Sequence, residues 1–114
     1  MIKYELVEDN IPSIENEVEA AIGRALEMIG LQAEKHAKEA LTKQGAVDTG
    51  RLRNSVTHQV IMLLDAVAVG TSVEYAPYVE FGTSRGMDPR PYIKPAVENY
   101  QNEYKIIIEN ELRR

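Results

Sequence analysis

A long helical repeat constrains the first half of this chain more than any other feature of its sequence. Apolar residues recur every three or four positions over residues 14–41, which is the period of one face of an α-helix. These positions are Ile14, Val18, Ala21, Ile22, Ala25, Ile29, Ala33, Ala37 and Leu41. We predict a helix from Ile14 to about Lys43, which at 1.5 Å per residue is about 45 Å long. Because a compact domain of this size is about 30 Å across, part of the helix extends beyond the core.

Two glycines lie inside this predicted helix. Gly23 and Gly30 each cost about 1 kcal/mol of helix stability relative to alanine, so each is expected to have a structural role. The two glycines either allow close packing against another element, bend the helix, or break it. The helix is expected to end before Gly45, because glycine is common just past helix C-termini.

The elements around the long helix are short. Residues 2–6 alternate apolar and charged side chains, which predicts a half-buried strand. Residues 56–63 and 66–70 are rich in β-branched side chains and predict a hairpin with a tight turn near Leu64 and Asp65. A single helical turn, capped by the Asp48 or Thr49 side chain, is expected just before this hairpin.

The last third of the chain completes the order of elements. Residues 74–82 fit either a short helix or a strand, and we favour the helix; residues 83–91 have the composition of a loop. From Ile93 almost to Arg114 the apolar spacing predicts one amphipathic helix, with Pro95 in its first turn. The order is β-α-β-β-short α-α. We therefore predict an α+β fold, in which the long helix and the C-terminal helix pack on a small antiparallel sheet.

Composition restricts the class of protein. The 114 residues, 44% of them hydrophobic, fit a single domain over residues 1–114. The net charge of -5, from 13 basic and 18 acidic residues, argues against direct nucleic-acid binding. No apolar run approaches the roughly 18 residues that would predict a membrane span, and no signal-peptide pattern is seen. Because there is no cysteine for a disulfide or thiolate site, we expect folding in a reducing cytoplasm.

An aspartic-protease hypothesis rests on one tripeptide. Asp48, Thr49 and Gly50 spell the protease motif, but they follow a predicted helix instead of an apolar strand. The neighbouring Arg51 and Arg53 would lower the pKa of an aspartate, whereas the protease mechanism needs two carboxylates that share a proton. A helix-capping turn explains the tripeptide better.

Other candidate catalytic residues lack a recognisable context. His36, His58, Ser55 and Asp65 are the ingredients of a hydrolase site, but we expect His36 half-exposed on the long helix and His58 packed on a strand face. Two histidines without clustered carboxylates predict no metal site. No phosphate-binding glycine loop is present, so we expect no cofactor.

Glu80 is the acidic residue whose surroundings are most unusual. It lies between Tyr78 and Phe81, where a carboxylate is either a catalytic group with a shifted pKa or one half of a buried ion pair. We favour the ion pair, with Arg51 or Arg53 as the partner.

Charge is distributed unevenly along the chain. Residues 5–19 contain six acids and no Lys or Arg, whereas residues 85–94 contain three basic residues and one acid. In an oligomer, the acidic segment of one subunit would meet the basic loop of the next, which sets register more than affinity. The alternative, two solvated surfaces that never meet, is equally open.

Four segments of the chain, in order, resemble a known family. They are Val-Asp-Thr-Gly-Arg-Leu-Arg-Asn-Ser at 47–55, Val-Gly-Thr at 69–71, Tyr-Ala-Pro-Tyr-Val-Glu-Phe-Gly-Thr at 75–83 and Arg-Pro-Tyr-Ile-Lys-Pro-Ala at 90–96. The family is that of the small tail components of tailed bacteriophages, typified by gene product ten of the lambda-like phage HK97. The helices before and after these segments also follow the family's order.

The resemblance implies a structural, non-enzymatic virion protein of a phage or prophage. It would be made in the host cytoplasm and act in tail completion or head–tail joining. Its partners would be further copies of itself, in a ring, and other neck or tail proteins, with no direct contact to nucleic acid or membrane. A small hydrolase that uses Asp48 or Glu80, and a binding module that grips a partner helix along the long helix, are the alternatives.

The resemblance also selects residues. Those that match the family segments are Asp48, Thr49, Gly50, Leu52, Tyr75, Tyr78, Glu80, Phe81, Gly82, Thr83, Arg90 and Pro91. We interpret most of them as fold determinants: Gly50 and Gly82 for unusual backbone angles, Tyr75 and Phe81 as aromatic anchors of the core. The loop over residues 84–89 is expected to be mobile in the free protein and ordered on assembly. Its candidate contact residues are Arg85, Met87, Asp88 and Arg90.

Overall fold

A computed structural model describes residues 16–44, 49–84, 86 and 88–113. The predicted strand over residues 2–6 and the residues Asp48, Arg85 and Met87 lie outside the described residues. The helices are α1 (Asn16–Gln44), α2 (Thr49–Ser55), α3 (Ala76–Phe81), α4 (Ile93–Glu98) and α5 (Gln101–Leu112), and the strands are β1 (Thr57–Ile61) and β2 (Ala66–Gly70). The α+β class, with a long helix and a small antiparallel sheet, is confirmed.

Helix α1 is the axis of the molecule, and the predicted long helix is confirmed. It runs unbroken through both glycines over 29 residues, and the molecule measures 51 × 23 × 20 Å. One face is buried along its whole length, at Ile22, Leu26, Ile29, Ala33, Ala37 and Leu41. Helices α2, α4 and α5 and strands β1 and β2 pack against α1.

The predicted hairpin is also confirmed. Strands β1 and β2 pair antiparallel, with His58 opposite Val69 and Val60 opposite Val67, and all five residues of β2 are buried. A short 3₁₀ turn (Met62–Leu64) connects the strands, and Asp65 closes it in the left-handed conformation, at φ 48° and ψ 48°. Within the described residues the sheet has these two strands.

Strand β1 packs closely on α1 at Gly30, which explains one of the two glycines. A methyl group on Gly30 would collide with the His58 ring. That ring lies between two α1 carboxylates, with Nε2 2.6 Å from Glu27 and Nδ1 3.0 Å from Glu34. Burial alone would lower the pKa of His58, but hydrogen bonds and charge from Glu34 and Glu27 outweigh it and raise the pKa above its usual value. His58 therefore packs on a strand face, as predicted, and joins β1 to α1.

The prediction of a single C-terminal helix is wrong, because the structure has two helices, α4 and α5, in this part of the chain. Helix α4 ends at Glu98. Beyond it, side chains instead of backbone N–H groups donate to the last carbonyls of α4. The Tyr104 hydroxyl donates to the carbonyl of Ala96, and Gln101 Nε2 donates to the carbonyl of Val97 at 2.7 Å. Carbonyls at a helix end need such partners, and here they come from the first turn of α5.

Helix α5 runs antiparallel to α1 and is attached to it at two points. His36 stacks on Tyr100, with ring centroids 3.5 Å apart, and its Nε2 lies 3.0 Å from Glu103. Arg24 pairs with the buried Glu111 at 3.2 Å. The prediction of a half-exposed His36 is wrong, because Tyr100 and α5 leave only 10% of its side chain accessible.

Candidate assembly site

Glu80 does not form the predicted ion pair with Arg51 or Arg53. It is 4% exposed, and its carboxylate accepts three backbone N–H groups at the start of α4. Oε1 accepts from Tyr92 at 3.1 Å and from Ile93 at 3.0 Å, and Oε2 accepts from Lys94 at 3.2 Å. The first N–H groups of a helix have no partner inside it, and bonds from them to a charged acceptor are strong. Glu80 therefore fixes α4 to α3.

A second contact closes the base of the loop that separates these two helices. The Arg90 N–H donates to the Val79 carbonyl at 2.7 Å, one residue before Glu80. Gly82 starts the loop at φ 76° and ψ -177°, a backbone conformation that other residues resist, as predicted. The chain thus leaves α3 at Gly82 and returns at Arg90, and both ends of the loop are held.

The first of the four family segments, residues 47–55, comes directly before the hairpin and includes α2. Leu52 is buried in the core, and Thr49 is the first residue of α2. The prediction for Gly50 is wrong, because Gly50 is an ordinary helical residue without a positive φ and with open space where a Cβ would lie. Arg51 has the clearest interactions: it forms two 3.0 Å hydrogen bonds with Glu74 and lies 5.3 Å from the centre of the Tyr75 ring.

The hydrolase ingredients are engaged elsewhere in the fold. The Ser55 hydroxyl donates to the Leu52 carbonyl at 2.6 Å and lies 2.6 Å from Thr71 Oγ1, so its proton is already used. His58 is held by its two glutamates, and His36 by Tyr100 and α5. Within the part of the chain that the structure describes, no three His, Asp or Glu residues form a group able to hold a metal ion.

Helix α3 directs two aromatic side chains into solvent. Tyr75, just before the helix, packs against the core as predicted. Tyr78 and Phe81, one helical turn apart, are 56% and 57% exposed, so the prediction that Phe81 anchors the core is wrong. Their exposure follows from Glu80, because placing Glu80 and Val79 inward turns the opposite side of this short helix outward.

Exposed cations accompany these aromatic side chains. Arg90 closes the loop base, and Lys94 follows in the first turn of α4; both are exposed. The backbone N–H groups of Arg90 and Lys94 are bonded to Val79 and Glu80, so both residues lie next to α3. We call Tyr78, Phe81, Arg90 and Lys94 together the loop face. Pro91 and Asp88 are also exposed beside it, and Thr83 is half-buried.

A second exposed apolar surface was not predicted from the sequence. The hairpin turn carries Met62, Leu63 and Leu64, which are 38%, 95% and 59% exposed. The available signal was three consecutive apolar residues at a position where turns are usually polar. Glu19 and Glu27 lie on the adjoining face of α1, at four-residue spacing from Gly23, which the Met62 side chain contacts. We call these five residues the tip face.

The described residues thus form a small α+β fold that carries the loop face and the tip face, and the comparison with protein families agrees with the resemblance. Residues 7–82 match the family described as "Bacteriophage HK97-gp10, putative tail-component". The match spans about two thirds of the chain, which therefore belongs to the HK97-gp10 family of phage tail components. Comparisons with curated proteins and with solved structures returned no match. Among the described residues, no helix is both long and apolar enough to span a membrane.

Proposed function

We propose that this tail component is a structural protein that completes the tail or joins it to the head, as a ring of identical copies in contact with other neck or tail proteins. Membership of the family supplies the class of protein. The observation that carries the proposal is the loop face, where two exposed aromatic residues lie beside a loop whose base is fixed.

The loop face has the properties of a contact surface. Aromatic side chains are enriched where binding energy concentrates, usually inside a rim of polar or charged groups. Tyr78 and Phe81 supply exposed aromatic side chains, and Arg90 and Lys94 supply exposed cations next to the same helix. Because Glu80 and Val79 hold the base of the loop, little of this surface has to be ordered when a partner binds, which favours affinity. That residues 84–89 become ordered only on assembly stays a prediction.

Two observations weigh against the alternative of a small hydrolase. Both oxygens of Glu80 accept backbone N–H groups, which leaves the carboxylate poorly placed to take a proton from a substrate. The Ser55 hydroxyl is bonded to backbone and to Thr71. Membership of the tail-component family supports the virion as the proposed location, at the tail or the head–tail interface, after synthesis in the host cytoplasm.

The proposal is tested by asking whether particles contain the protein and need the loop face to take it up. Tagged copies would be supplied to the phage or prophage that encodes the chain, and purified particles analysed by mass spectrometry and immunogold labelling. We expect the wild type at one position on the particle and a sharp loss of uptake for Phe81→Glu.

The matched control is Leu31→Glu, which places the same charge at another exposed position, 52% accessible, on α1. It should enter particles like the wild type. Circular dichroism would show that both variants are folded. Absence of the wild-type protein from purified particles would contradict the proposal.

A further inference from the structure

The two exposed faces differ in character and position, and they match each other. We propose that the loop face of one copy binds the tip face of the next, so that copies join head to tail. This inference rests on the proposed function and adds to it the identity of the surface that the loop face contacts.

The first step is the position of the two faces along α1. The Met62 sulfur lies where a side chain on Gly23 would contact it, at 3.7 Å from the Cβ position. At the other end, Gln44 Nε2 donates to the carbonyl of Pro91 at 2.7 Å, next to the base of the loop. Gly23 and Gln44 are 21 residues apart, or about 32 Å along a helix. Each copy therefore presents the two faces far apart, and both can be occupied at once.

The second step is symmetry. Two copies that used the same face would form a closed dimer, whereas a contact between two different faces leaves one free face at each end of a pair. Repetition of such a contact gives a ring if the rotation closes and a filament if it does not. A head-to-tail contact through these faces is therefore the kind that builds a ring from a single chain.

The third step is charge. The tip face carries Glu19, which is exposed, and Glu27, whose side chain is 55% exposed. Even with His58 protonated beside Glu27, the carboxylates of Glu19 and Glu27 leave the tip face with a net negative charge. Arg24, the cation of this half of α1, is already paired with Glu111.

The loop face has the opposite charge. Arg90 and Lys94 are exposed on it, and the described acid of the loop is Asp88. Contact between two tip faces would bring carboxylates together, and contact between two loop faces would bring cations together. Contact between unlike faces brings opposite charges together around an apolar centre, which selects the partner and sets the register.

The fourth step is the apolar content of each face. Leu63 is 95% exposed, so it stands at the end of the hairpin as a projecting side chain. Tyr78 and Phe81 offer two ring surfaces one helical turn apart. Packing of the projecting Leu63 side chain against these rings would remove apolar surface of both copies from water, which favours association.

The test uses two variants that each destroy one face. Leu63→Lys introduces a cation into the tip face, and Tyr78→Glu introduces an acid into the loop face. Each new charge has the same sign as the expected partner surface and therefore repels it. Purified wild type, each variant, and an equimolar mixture of the two variants would be compared by native mass spectrometry and analytical ultracentrifugation. Ile106→Lys, a change at an exposed isoleucine of α5 that belongs to neither face, is the control.

We expect the wild type and Ile106→Lys to form closed oligomers or longer assemblies, and each face variant alone to remain monomeric. The mixture should give a one-to-one dimer and nothing larger, because the Tyr78→Glu copy keeps its tip face and the Leu63→Lys copy keeps its loop face. A mixture that stays monomeric, or a face variant that still assembles like the wild type, would overturn the proposal. Phe81→Glu and Leu64→Lys serve as second variants if circular dichroism shows either first variant to be unfolded.

Failure of this inference is separable from failure of the proposed function. A wild-type chain that is monomeric at its highest soluble concentration, but present in purified particles, would refute the contact between copies while the assignment to the virion stands. Absence from particles would refute that assignment whatever the state of the purified chain.

Discussion

Replacing Glu80 by alanine tests the fixed base of the loop, on which the loop face depends. In the wild type the carboxylate accepts the N–H groups of Tyr92, Ile93 and Lys94. The change removes all three acceptors at once. The N–H groups of Tyr92 and Ile93 are buried, so water replaces the lost bonds poorly.

The size of the effect follows from those two buried groups. A buried donor left without a partner costs about 1–3 kcal/mol, so two of them predict a loss of about 2–6 kcal/mol in the free energy of unfolding. For a domain of this size, the melting temperature should fall by about 8–25 °C. Glu80→Gln keeps one acceptor oxygen but turns an amide N–H₂ toward the Lys94 N–H, and should lose about 1–2 kcal/mol.

Urea unfolding followed by circular dichroism measures these differences. Glu98→Ala is the matched control, because Glu98 is an exposed glutamate of the same helix α4, and its replacement should change the free energy of unfolding by less than about 0.5 kcal/mol. Equal effects of Glu80→Ala and Glu98→Ala would refute the reasoning, since the three N–H groups would then not depend on the carboxylate.

Three further results are expected from the packing around α1. Gly30→Ala should lower the free energy of unfolding by about 1–3 kcal/mol, because the methyl group displaces the His58 ring; Gly23→Ala, whose Cβ finds ordinary contacts, should raise it by up to about 1 kcal/mol. The raised pKa of His58 means that its contribution to stability is complete below pH about 6.5 and lost as the pH rises through the folded-state value. The difference between wild type and His58→Gln in urea should therefore be larger at pH 6 than at pH 8.5, and an unchanged difference would count against the protonated ring. Tyr104→Phe should cost about 1–2 kcal/mol by depriving the Ala96 carbonyl of its donor, and a thermal melt would measure it.

Periodic patterns predicted most of the fold. The buried face of α1 runs from Ala21 to Leu41, about six helical turns, and a signal of that length survives the two glycines. The hairpin alternation and the composition of the loop were equally readable, because these features depend on neighbours in sequence. Gly82 was identified correctly, since only glycine adopts its backbone angles without strain.

What the sequence could not predict depends on contacts between distant residues. The division of the C-terminal helix arises from Tyr104 and Gln101, whose polar groups take carbonyls that a continuous helix would use itself. His36 is buried by Tyr100, a residue that lies 64 positions away. Helical spacing alone shows neither contact.

The candidate site was predicted in part for the same reason. The sequence marks Glu80 as unusual and suggests a charged side chain as its partner, but its partners are backbone N–H groups at the start of α4. Phe81 was assigned to the core because aromatic residues are usually buried. Phe81 is exposed because Glu80 and Val79 occupy the inward side of the short helix α3.

The most direct measurement of the central claim is the infectivity of particles made without this chain. The phage or prophage that encodes it would be deprived of the gene, and particles counted by plaque titre and viewed by electron microscopy. We expect heads and tails that remain separate or tails that end abnormally, with titre restored by the wild-type chain in trans but not by Phe81→Glu. Normal titre and complete tails in the absence of the chain would contradict the claim that it is a structural part of the tail.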